Sequence, residues 1–378
     1  MKKMLILSLA AAVCLSSCSV PLNEIPSSSE SSIQETTEES GKYSPINYIR
    51  QTGLWIPYME FEELMYGRSE DDFRRLIRQR FSDALDKGVN TVYLHVHPNG
   101  DAYYESKLFP KGVFLDGSYD PLDIAIDEAH KLGISLHAWL NPLRLQTVQQ
   151  MSALPDGYTT KQWADSPESG FVREVNGRYY LNPAYSEVSD FISAAAAEIL
   201  DNYQVDGIHI DDYFYPTTDP DFDRDAFEAS GASDLAQWRR DNVTRFVKQL
   251  YDTVKSRNND LRFGISPQGN IDANYNTQYA DVKLWSGNKG YADYIIPQIY
   301  YGFNNATLPF EPTLRQWEEL VGNSGVSLVI GLAAYKQGKY DQWAGAVGEN
   351  EWIDDPNVIQ KQIELVKTSR ADGYALYE

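Results

Sequence analysis

The chain has 378 residues, 54 acidic against 33 basic side chains, and a formal net charge of -21. That balance argues against a nucleic-acid binder, which needs clustered Lys and Arg to neutralise phosphates, and against a peripheral grip on anionic lipid. A neutral partner such as a polysaccharide or oligosaccharide tolerates it, and 13% aromatic residues, 26 of them Tyr, supply stacking faces.

The chain opens with Met1-Lys2-Lys3 and an apolar run, Met4 to Leu15, too short to span a bilayer. Leu15-Ser16-Ser17-Cys18 has the form of a bacterial lipobox. Residues 1–18 are therefore expected to be a lipoprotein signal peptide, with Cys18 acylated and the exported protein held on the cell envelope by its lipid. Cys14 and Cys18 are the only cysteines, so processing leaves no thiol for a disulfide, a zinc cluster or a nucleophile. Residues 19–44, rich in Ser, Glu and Thr, cannot bury enough apolar surface to offset chain entropy and are expected to form a disordered tether.

From residue 45 onward, strand-like apolar runs alternate with helical stripes. Strands are expected at 53–59, 91–97, 135–141, 207–212, 262–268, 294–300, 327–335 and 373–377. Phe73, Leu76, Ile77, Phe81, Ala84 and Leu85 make one helical stripe, and Val188, Phe191, Ile192, Ala195, Ile199 and Leu200 another. Ser69 with Asp72 resembles a capping pair, and Asn182-Pro183 suits a helix entry. Further helices are expected over 121–132, 234–257, 313–322 and 356–370, with a weaker one near 278–290.

Eight strands alternating with helices over about 330 residues imply a one-domain α/β fold, the (β/α)8 TIM barrel, over 45–378. An open doubly wound sheet would carry a Gly-rich phosphate turn after its first strand, and Gly53 to Phe61 has none. The chain stops at Glu378 directly after the eighth strand, so the last helix is expected to be missing through truncation.

Such barrels keep their chemistry at the C-terminal ends of the strands. Those ends collect His95, His97 and Asp101 from strand two, and His137, Trp139 and Asn141 from strand three. Strand one adds Glu60, strand four supplies His209, Asp211, Asp212 and Tyr213 in the run VDGIHIDDYFYP, strand five Ser266 and Gln268, strand six Gln298 and Tyr300, and strand seven Tyr335. Alternation puts His209 and Asp211 on one face, and Asp212 on the other unless the chain bends there. His97 is the favoured contact of its pair because it precedes the loop. His95-Val-His97 has the H-x-H form of metal-dependent hydrolase barrels, but no His follows His209, so no metal and no cofactor is expected. No G-x-S-x-G elbow occurs either.

These segments together resemble the bacterial family-10-like glycosyl hydrolase domain, found mainly in exported lipoproteins and distinct from the family-10 xylanases. The likeness rests on GLWIPY, HPNGDAYYES, HAWLNPLR, LNPAYSEV, DGIHIDDYFYP, ISPQGN and DYIIPQIYYG, in that order, over residues 46–378. It implies a (β/α)8 glycosidase, with peptidoglycan glycan strands among the substrates of some members, and puts the strand-four aspartates at Asp211 and Asp212. The family commonly carries Arg where this chain has His97.

Glycoside hydrolysis uses one protonated and one ionised carboxyl group. Asp211 is expected in the ionised role with Asp212 as partner, while Glu60, Asp101, Asp272 and Glu378 stay open as the acid. Trp139, Tyr213, Tyr300 and Tyr335 are expected to stack on sugars, and Asn141, Arg144 and Gln298 to bond hydroxyls. A non-catalytic sugar-binding lipoprotein on the same barrel is the alternative.

Overall fold

The computed structural model describes residues 43–378. The expected leader with Cys18, and the expected tether up to residue 42, lie outside the described residues. Strands form at β1 (Gln51–Ile56), β2 (Thr91–His97), β3 (Ser135–Leu140), β4 (Arg144–Thr147), β5 (Val172–Val175), β6 (Arg178–Leu181), β7 (Gly207–Ile210), β8 (Arg262–Ile265), β9 (Tyr294–Ile295), β10 (Ser327–Ala333) and β11 (Gly373–Tyr377). Eight of them close a parallel barrel in the order β1-β11-β10-β9-β8-β7-β3-β2. This is the expected (β/α)8 architecture. The ring closes where β11 pairs with β1, Gln51 opposite Gly373.

Helices alternate with the strands, and their starts are chemically marked. The Ser69 hydroxyl accepts from the Asp72 N–H at the head of Glu70–Asp86, as the capping pair suggests, a contact worth about 1 kcal/mol. Asp120 caps Pro121–Lys131 and Asp234 caps Leu235–Arg257 in the same way. Ser186–Asn202 begins later than Asn182-Pro183 suggests. There Asn182 accepts from the Ala184 N–H and shapes the turn before the helix.

Two apolar regions follow from the alternation of strand side chains. The outward faces pack on the helices, Phe73, Ile77 and Phe81 among them. The inward faces fill the barrel with Trp55, Tyr93, Trp139, Tyr294, Ile296, Val329 and Ala375. Large rings in so narrow a space require glycine opposite them. A Cβ on Gly264 would stand 1.8 Å from Tyr294 Cζ, and one on Gly53 would stand 2.7 Å from Tyr93 Cε2.

The loop after β3 holds a feature the sequence reading missed, the antiparallel sheet β4-β6-β5. Its strands are short and partly exposed, so they lack a buried run to announce them. Arg144 is the first residue of β4 and pairs with Tyr180 of β6. The sheet thereby fixes the backbone that carries the Arg144 guanidinium to the barrel mouth.

Candidate active site

Strand β7 runs Gly207 to Ile210 and ends in Asp211 and Asp212. Strict alternation would send the two carboxyls to opposite faces, but the backbone turns into the left-handed region at Asp212, with φ +48. Asp tolerates that region better than most residues, and such strain recurs at functional sites. Both carboxyls consequently line one cavity of about 290 Å³ at the C-terminal end of the barrel. Trp139, Asn141, Arg144, Gln298 and Tyr300 line it with them, as does a wall of Trp55, Tyr58, Met59 and Tyr377.

The two carboxyls differ in surroundings. Asp211 Oδ1 accepts from the Asp212 N–H at 2.7 Å and Oδ2 accepts from Gln298 Nε2 at 3.0 Å. Burial, and next the charge of Asp212, push the Asp211 carboxyl up to about 8. Asp212 has a counter-charge instead: its Oδ2 accepts from Arg144 Nη1 at 3.0 Å and from Asn141 Nδ2 at 3.4 Å. These surroundings run against the expected division of roles: burial favours the protonated form of Asp211, and Asp212 is the ion-paired member.

Several expected contact residues sit elsewhere. His137 and His209 are sealed inside the barrel below the cavity. Trp55 Nε1 donates to His209 Nε2 at 3.1 Å, which leaves the His209 proton on Nδ1 to be donated to the Tyr294 hydroxyl at 3.2 Å. Tyr294 in turn donates to His137 Nδ1 at 2.7 Å. Burial drives both imidazoles below their ordinary value, His137 to about 3, so this chain of neutral groups forms a floor that orients Trp55. Ser266 bridges the Ile296 carbonyl and Gln298 Nε2, supporting the cavity wall from behind. Tyr213 is buried against Trp285, and Tyr335 stands edge-on to Tyr300 and Tyr377 outside the lining.

His97 and Asp101 also leave the site. The register of β2 against β3 shifts between His95 and His97, which breaks the alternation that would have kept both imidazoles on one face. His97 turns to the Asp101 carbonyl at 2.7 Å and packs on Phe109. His95 enters the cavity instead and lies flat on Trp139, centroids 3.7 Å apart and planes within 8°. Trp55, Tyr58, Met59, His95 and Tyr377 are the lining residues absent from the expected contacts. The parity of Trp55 in GLWIPY was the available signal for the first of them.

The other acids considered do not line the cavity. Glu60 is held by Arg80, and Glu378 by Arg80 and Lys87. Asp101 is buried and bonded to the Asn99 N–H, and Asp272 is exposed on a separate surface. Among the described residues, the carboxyls lining the cavity are the two that follow β7.

Residues 53–345 match the family described as glycosyl hydrolase-like 10. The chain belongs to that family. Glycosyl hydrolase DigH of Escherichia coli (strain K12) is 31% identical over 328 residues, which cover 77% of this chain and 73% of the relative. Glycosyl hydrolase YngK of Bacillus subtilis (strain 168) is 33% identical over 323 residues, 76% of this chain and 60% of that one. Among solved structures, the PgaB (BpsB) glycoside hydrolase domain from Bordetella bronchiseptica superposes with a TM-score of 0.58 at 14% identity, over 87% of this chain and 94% of that one. That likeness speaks for the fold. The enzyme class expected from the sequence, a glycosidase, is that of the family and its named relatives.

Proposed function

We propose that the protein is an exported, lipid-anchored glycoside hydrolase that cleaves O-glycosidic bonds of a cell-envelope or extracellular polysaccharide, with peptidoglycan glycan strands as the first substrate to test. The observation that carries the catalytic part is the unequal pair in one aromatic-walled cavity. Asp211, uncharged near neutral pH, protonates the departing glycosidic oxygen. Asp212, paired with Arg144, supplies the negative charge that steadies the positive charge building on the sugar ring. Trp139 and Tyr300 offer faces for the sugar, and Asn141 and Gln298 offer amides to its hydroxyls.

The leader pattern supports export and the lipid on Cys18, which would hold the barrel near envelope glycans. The test is to incubate the domain from residue 43 onward with peptidoglycan glycan strands, with and without peptide stems, and with plant and host polysaccharides. Mass spectrometry of the products should show new reducing ends from at least one envelope glycan. Tight binding with no product from any of them would favour the non-catalytic sugar binder instead.

A further inference from the structure

A glycosidase acting through two protein carboxyls needs them on opposite sides of the anomeric carbon, about 5 Å apart for retention or roughly 6.5 to 9.5 Å apart for inversion. Asp211 and Asp212 are consecutive and tied together by a 2.7 Å hydrogen bond from one's backbone to the other's side chain, so both approach from the β7 side. In the ring order, β11 lies diametrically opposite β7, with β1 beside it. That far wall presents Tyr377, Trp55 and Tyr58 and, among the described residues, no carboxyl. The Tyr377 phenol is itself pushed up to about 12, chiefly by burial, which keeps it protonated and a poor nucleophile.

We propose that the nucleophile is the carbonyl oxygen of a 2-acetamido group on the substrate itself, with Asp211 as proton donor and Asp212 as acceptor of the acetamido N–H. This rests on the glycosidase reading above and adds the group its substrate must carry. Asp212 is built for the task. Arg144 and Asn141 both occupy its Oδ2, and its Oδ1 accepts no hydrogen bond among the described residues. A second, independent feature points to a polar ligand here. His95 is 3% exposed, lines the cavity, and has neither ring nitrogen hydrogen-bonded among the described residues. A neutral imidazole left so has one donor and one acceptor unsatisfied at the cavity wall.

The step balances with water as the only co-reactant. The acetamido oxygen bonds to C1 as the glycosidic C1–O bond breaks, and the Asp211 proton goes to the departing oxygen. Asp212 stabilises the positive charge on the resulting oxazolinium ring through its N–H. Water then adds to C1 and gives a proton to Asp211, while the ring C–O electron pair returns to the acetamido oxygen. The product keeps its anomeric configuration, and no sugar–enzyme bond forms.

The experiment compares the domain from residue 43 onward on three probes: peptide-free glycan strands of 2-acetamido sugars, the same strands after N-deacetylation, and glucans without amino sugars. Expected are cleavage of the first with retained configuration by proton NMR, a fall in kcat of at least about a hundredfold on the second, and none on the third. A 2-acetamido-sugar thiazoline, which mimics the oxazolinium ring, should inhibit the wild type and lose potency against Asp212→Asn. Comparable kcat on N-deacetylated strands, inverted product, or a glycosyl-enzyme adduct by intact mass would overturn the proposal. Cleavage of a glucan would overturn it while leaving the glycosidase reading intact, and no cleavage of any probe would overturn both.

Discussion

Arg144 and Asp212, 68 residues apart in the chain, meet at 3.0 Å in the wall of the cavity. One stands at the start of the inserted sheet and the other at a left-handed turn after β7. Their contact separates two neighbouring carboxyls that would otherwise be alike, because it gives one a counter-ion and leaves the other dependent on Gln298 and a backbone amide. Removing the guanidinium as Arg144→Gln also removes a positive charge that holds Asp211 down. The basic limb of the rate profile should move to higher pH, and kcat/KM should fall roughly tenfold to a hundredfold. A pH–rate profile with an unmoved limb would contradict this.

Asp212→Asn should move the same limb the other way. The Asp212 charge is the second cause raising the Asp211 carboxyl, so its loss lets Asp211 ionise at lower pH. In the wild type, the rate should fall as pH rises through about 8, and in the residual activity of the variant that fall should come earlier.

Stability should carry the same signature with a definite sign. Asp211 binds its proton more tightly in the fold than its ordinary value of 3.8 allows, so between about 4 and about 8 the folded state holds more protons than the unfolded one. Wild-type stability should therefore decline as pH rises through that window. Asp211→Asn, which has no charge to bury, should gain in Tm relative to wild type as pH rises from 5 to 8. Parallel Tm curves for the two proteins would count against the half-buried, protonated carboxyl.

Trp139→Ala should raise KM on a glycan by about fivefold, the loss of a stacking face worth about 1 kcal/mol, and should also free His95 from its stacked position. Trp139→Phe should recover most of that. Isothermal titration with a short oligosaccharide checks both.

Gly264→Ala should destabilise the barrel by about 1–3 kcal/mol or more, because the new methyl would meet the Tyr294 ring at 1.8 Å and that ring is bonded to both buried histidines. Urea unfolding of the two proteins measures it.

The eight barrel strands were legible because each is a short apolar run between helical stripes, and β2 and β11 fall on the expected residues. The strand ends were less so. The runs at 262–268 and 294–300 continue past β8 and β9, where Pro267 and Pro297 have no N–H to donate to a ladder. At the site, the Asp pair and Trp139 could be read from type and place. Which of His95 and His97 faces the cavity could not, since a local register shift decides it. The division of labour between Asp211 and Asp212 was equally hidden, because it depends on Arg144 arriving from a sheet whose short strands carry no strong periodicity.

The most direct test is turnover and glycan binding by Asp211→Asn, measured beside its Tm. The account predicts an intact fold, a Kd close to that of wild type, and a fall in kcat of about a hundredfold to ten-thousandfold on peptide-free glycan strands. Wild-type kcat in that variant, with its fold and Kd unchanged, would contradict it.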